Sequence, residues 1–184
     1  MKVRYAAAAL FLACFAQPHP NMIRDLSGAE CKIPETGKKA ALLIFIAHDC
    51  PVANGYAPEI NRIVSKYGPK GIACFVVYVE PDLAVEDARK HAREYGYPCR
   101  AVQDTSHQLV ARTGVKVTPE AAVLGRSGSL LYRGRIDDLY PALGKRRIRA
   151  THTDLRSALD AIIKGERPNP RMTVAIGCFI PGVK

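Results

Sequence analysis

The sequence predicts an α/β fold in which helices cover the faces of a mixed sheet. Three features point to it. Residues 41–47 and 72–79 are continuous apolar runs of the kind found in strands covered on both sides. Each run is followed by a helical pattern, first over residues 52–67 and then over residues 85–95. Later, residues 121–124 and 130–133 flank the turn Arg126-Ser127-Gly128-Ser129, which brings antiparallel pairing into the same sheet. The full order reads β-α-β-α-α-β-β-α, within the size of one domain at 184 residues.

Taken in order, the chain begins with Lys2 and Arg4 and an apolar stretch over residues 5–16. That stretch is too short to span a bilayer and has the shape of a secretory signal, with cleavage expected after Ala16. Lipid attachment at Cys14, or retention of the segment as an N-terminal membrane tether, are the alternatives. All three place the protein outside the cytoplasm, in the periplasm or its equivalent. Residues 17–37 read as an irregular leader that contributes at most an edge strand, residues 38–165 as the folded domain, and residues 166–184 as a tail carrying Cys178.

Within the domain, Pro51 opens the first helix and Pro58 falls inside it, where a kink is expected. Gly68-Pro69-Lys70-Gly71 is a loop, and Gly96 ends the charged second helix. Asp104-Thr105 is positioned to cap a third helix that stops at Gly114. Residues 134–151 form a long loop. Thr153-Asp154 opens the last helix, with Leu155, Ala158, Leu159, Ile162 and Ile163 on one face.

Composition narrows the function. The net charge is +10, part of it concentrated in Lys145, Arg146, Arg147 and Arg149. No aromatic residues interleave with these cations, so the run reads as a solvated loop and no nucleic-acid partner is expected. Beyond Cys14 there are five cysteines, an odd number that leaves at least one thiol free in an exported chain. No close Cys-x-x-Cys pair supports a zinc ribbon.

Cys50 stands apart from the others. Cys74 lies inside an apolar run and reads as a small buried hydrophobe. Cys50 instead follows His48-Asp49, where the strand has ended, and precedes Pro51. That places its sulfur at a helix N-terminus, where unpaired amides favour negative charge and the nucleophilic thiolate.

The Cys50-Pro51 turn and the later Thr118-Pro119, in this order of elements, resemble the thioredoxin-like fold. More narrowly they resemble its redoxin branch, which includes peroxiredoxins (the alkyl hydroperoxide reductase/thiol-specific antioxidant type) and exported thiol–disulfide proteins. The resemblance covers about residues 38–164 and implies a three-layer α/β/α sandwich with a mixed central sheet. It also implies a cis Thr118–Pro119 bond facing Cys50. Two departures matter. Where exported thiol–disulfide reductases carry a second cysteine, this chain has Ala53; where peroxiredoxins carry Thr or Ser to orient the peroxide, it has Ala47.

The expected activity is therefore a cofactor-free thiol oxidoreductase. Cys50 attacks a peroxide or a protein disulfide, with Thr118, Pro119 and His48 around it and an external thiol as reductant. Cys178 is the candidate resolving cysteine, because residues 175–180 are apolar enough to pack back on the domain and Gly177 leaves room beside the sulfur. Cys99, at the start of an inner strand, and Cys31, in a mobile leader, are the weaker candidates. A second class of function is copper binding through Cys50, His48 and Cys178, since thiolate and imidazole suit that metal. A third is a non-catalytic interaction domain.

Overall fold

The computed structural model describes residues 22–183, so the segments read as a signal and as a lipid-attachment site at Cys14 lie outside the described residues. The core is a five-stranded sheet in the order β5-β4-β3-β7-β8. Strand β3 (Ala40–Ile46) lies at its centre, parallel to β4 (Ile72–Tyr78) and antiparallel to β7 (Glu120–Gly125). β5 (Arg100–Gln103) adds in parallel beyond β4, and β8 (Leu130–Gly134) returns antiparallel to β7. All seven residues of β3 are buried, as a strand with layers on both faces requires. This is the mixed-sheet, thioredoxin-like α/β architecture the sequence predicts.

Helix α1 (Pro51–Tyr67) joins β3 to β4, and α2 (Val85–Glu94) joins β4 to β5. Pro58 sits inside α1, which continues through it for the full span. Helix α4 (Asp154–Lys164) is tied to α1 by Arg156 Nε donating to Glu59 Oε1 at 2.6 Å and by the Tyr67 hydroxyl donating to the Arg156 carbonyl at 3.2 Å. The short α3 (Gln108–Thr113) starts later than Asp104-Thr105 suggests. Asp104 still caps it, its carboxylate accepting the Val110 amide at 2.8 Å.

The leader is more ordered than expected. Strands β1 (Met22–Arg24) and β2 (Glu30–Lys32) form a hairpin whose turn reaches the edge of the central sheet, where Asp25 bridges Val102 and the Leu26 amide donates to the Ala101 carbonyl at 2.9 Å. The cause is local: one Asp25 carboxylate oxygen accepts the amides of Ser27 and Ala29 at 2.9 and 3.0 Å. Cys31 is consequently buried in this hairpin instead of lying in a mobile segment. Cys99 likewise precedes the outermost strand of the central sheet, not an inner one.

The basic run at Lys145–Arg149 is exposed loop, with Arg147 anchored by donating to the Asp138 carbonyl at 3.0 Å. The tail returns to the domain. Its strand β9 (Cys178–Phe179) pairs antiparallel with β6 (Val117–Thr118), placing Cys178 opposite Thr118. No helix among the described residues is long and apolar enough to cross a membrane.

Candidate active site

The site forms where β3 ends and α1 begins. Cys50 occupies the N-cap position of α1 in an extended conformation, with Pro51 as the first helical residue. A cap residue normally offers a side-chain oxygen to the free amides of the first turn; Cys50 presents sulfur there and makes no capping bond. The helix start therefore keeps donors for a negative sulfur.

Three segments far apart in sequence meet over that sulfur. Cys50 Sγ lies 3.1 Å from the Thr118 carbonyl and 2.7 Å from Cys178 Sγ, across 128 residues of chain. The Thr118–Pro119 bond is cis and both residues are buried. Gly177 makes the approach of the tail feasible: a Cβ at this position would lie 2.0 Å from the Thr118 carbonyl oxygen. Cys50 itself is 1% exposed, so the tail and the Thr118–Pro119 turn cover it.

The electrostatics separate the two sulfurs. Burial works against ionisation of Cys50, but the Cys178 thiol, the Thr118 hydroxyl and the Ala53 and Cys178 amides favour its thiolate. The balance holds the Cys50 pKa below the ordinary thiol value. The buried Thr118 hydroxyl makes no hydrogen bond among the described residues, so its donor is uncommitted. Cys178 is pushed the other way, to about 12, by burial and by the neighbouring Cys50 and Asp49. Of the two sulfurs, the surroundings of Cys50 favour the thiolate and those of Cys178 favour the thiol. Cys74 and Cys99, each pushed up to about 12 by burial, lack these donors.

The structure thus brings together Cys50, Thr118, Pro119 and Cys178. His48 faces elsewhere: its Nδ1 lies 2.8 Å from Glu80 Oε1, which also accepts the His48 amide. With Asp49 and Glu80 it forms a group whose ligand atoms lie within 4.8 Å of one another, separate from the sulfurs.

Apart from Asn54, whose place in the first helical turn after Cys50 is legible, the supporting residues escaped the sequence pattern. Asn54 donates to the His48 carbonyl at 2.9 Å and accepts from the ring of buried His91, also at 2.9 Å. The other His91 nitrogen pairs with the Tyr78 hydroxyl at 2.8 Å. Together with Glu80 these groups clamp the His48-Asp49-Cys50 loop. Glu120, buried at the start of β7, accepts the Lys116 amide at 2.8 Å and so holds the turn bearing Thr118 and Pro119. A carboxylate opening an otherwise apolar strand was the one available signal for it.

Comparisons with known proteins agree with this fold. A crystal structure of an uncharacterized conserved protein from Geobacillus kaustophilus superposes with a TM-score of 0.76 at 25% identity, covering 86% of each chain. A hypothetical protein from Sinorhizobium meliloti 1021 gives 0.75 at 27% identity, covering 86% of this chain and 88% of the other. A secreted Mycobacterium tuberculosis disulfide oxidoreductase shares the fold at 16% identity, with a TM-score of 0.53 over 78% of this chain and 94% of its own. No curated protein matches the sequence. The Redoxin family model matches residues 19–141, which contain Cys50, Thr118 and Pro119, and the chain belongs to that family.

Proposed function

We propose that the protein is an exported thiol–disulfide oxidoreductase working through a Cys50–Cys178 couple. The observation that carries this reading is the 2.7 Å contact between a helix-capping cysteine and a tail cysteine beyond the family-matched region. The Cys50 thiolate attacks one sulfur of a substrate disulfide, forming a mixed disulfide and releasing one substrate thiolate. Cys178 then attacks Cys50 Sγ, passing its proton to the departing second substrate thiolate and closing the intramolecular disulfide. An external dithiol reverses the last bond by exchange. No cofactor enters the cycle. Residues Thr118 and Pro119 position the reacting sulfurs, and His48 contributes through the loop it shares with Cys50.

A second reading takes a peroxide as oxidant, favoured by the 1% exposure of Cys50, which admits small molecules most readily. Here Cys50 becomes a sulfenic acid, releasing the alcohol or water, and Cys178 displaces water to form the same disulfide. Ala47, standing where a peroxide-orienting hydroxyl is expected, counts against fast peroxide turnover.

Thiol mass mapping of the reduced protein, before and after one equivalent of oxidised glutathione or of hydrogen peroxide, tests both. The expected product is a Cys50–Cys178 disulfide with Cys31, Cys74 and Cys99 still reduced, formed faster with the disulfide. Faster reaction with peroxide selects the second reading, and an inert Cys50 overturns both. The Cys50→Ser variant completes the test: lost turnover is expected, whereas lost copper binding alone identifies a metal-binding module, and no change an interaction domain. The Cys178→Ser variant is expected to stop at the mixed disulfide.

A further inference from the structure

The other end of the central sheet carries a second site. Strand β3 starts at Ala40, paired with Gly125, and ends next to Cys50; at about 3.3 Å per residue these ends are roughly 20 Å apart. Beside the Ala40 end, the segment leading from β2 to β3, helix α3 and the β7–β8 turn enclose an open cavity of about 650 Å³. Lys32, Lys38, Arg112 and Arg126 line it, together with Ser127. Its one carboxylate, Glu35, already pairs with Arg100 at 2.8 Å.

The cavity is built rather than incidental. Arg112 spans its walls, donating to the Ile33 carbonyl at 3.0 Å and to the Gly128 carbonyl at 3.4 Å. Gly128 is left-handed at φ +81°, and a Cβ there would meet the Arg112 guanidinium at 2.3 Å. Lys32, Lys38 and Arg126 form no ion pair among the described residues. The like charges of Lys32, Lys38 and Arg126, gathered in one concavity whose carboxylate is engaged by Arg100, repel one another and favour a polyvalent anion. Guanidinium and ammonium groups drawn from β2, the β2–β3 segment, α3 and the β7–β8 turn suit the several oxygens of a tetrahedral phosphate better than a planar carboxylate.

We propose that this cavity binds a phosphate group, carried by a small phosphorylated molecule or by a phospholipid headgroup, independently of the thiol site. The test is thermal unfolding of the full chain in pyrophosphate, and separately in short-chain phosphatidylglycerol below its micelle concentration. Both are compared with sodium chloride at equal ionic strength. At ten times the dissociation constant, a rise of about 3–6 °C is expected. The rise is expected to fall to the chloride level in the Lys32→Glu/Arg126→Glu variant. It is expected to persist in Lys145→Glu/Arg149→Glu, which changes net charge equally at the exposed basic loop. A rise with pyrophosphate assigns a soluble phosphate ligand, and a rise with the lipid alone assigns a headgroup. No rise above chloride, or an equal loss in both variants, overturns the proposal.

Discussion

Gly177 passes the Thr118 carbonyl at a distance no side chain tolerates, so its identity sets how closely Cys178 approaches Cys50. Forcing a methyl into such a contact costs about 1–3 kcal/mol. Gly177→Ala is therefore expected to slow Cys50–Cys178 disulfide closure by roughly ten- to a hundredfold, read by quenched-flow alkylation and mass mapping. His91 gives a prediction of a different kind. Burial, and then the neighbouring His48, hold its pKa below the usual histidine value, while Glu80 and Glu94 oppose the shift. Tyr95 packs against its ring at a centroid distance of 4.4 Å, and Tyr78 and Asn54 take its two nitrogens. A histidine lowered on folding binds its proton more readily when unfolded. Its stabilisation is complete above the unfolded pKa, near 6.5, and is lost as pH falls from there through the folded pKa. Urea unfolding between pH 7.5 and 5 is expected to show this loss, and His91→Gln to flatten it.

At the scale of elements, β7 fixes the far wall of the site through Glu120. Glu120→Ala removes the buried acceptor of the Lys116 amide and is expected to destabilise the protein by about 1–3 kcal/mol. The same variant should raise the thiol pKa of Cys50 as the Thr118 turn loosens, measured by thiolate absorbance against pH. The sheet itself was legible in the sequence because unbroken apolar runs such as residues 41–47 have few other uses. Cys50 was legible because a Cys-Pro pair after such a run marks a helix start. The β1–β2 hairpin was not, since it rests on one Asp25 carboxylate gathering turn amides, a pattern that leaves no periodic trace. Nor was the Asn54–His91–Tyr78 clamp, whose members come from three elements and meet only after the sheet has formed. His48 was noticed for its closeness to Cys50 in sequence, yet its ring turns to Glu80, because neighbours at a strand end project in different directions.

For the whole molecule, the Cys50–Cys178 couple links the first crossover of the fold to its last strand. A bridge across 128 residues removes chain entropy from the unfolded state worth about 4–5 kcal/mol by loop-closure arguments. The oxidised protein is accordingly expected to melt about 8–20 °C above the reduced one, measured by calorimetry with and without a reductant that leaves no metal behind. The Cys178→Ser variant should show no such difference. The tail that covers Cys50 also decides the kinetics. In the proposed cycle the second sulfur is carried on the same chain and packed against the first, so closure would be a first-order event whose half-time does not depend on how much protein is present. A dilute and a crowded compartment would therefore see the same resolving step. Only the supply of oxidant and of external dithiol would make the pace of the cycle depend on concentration.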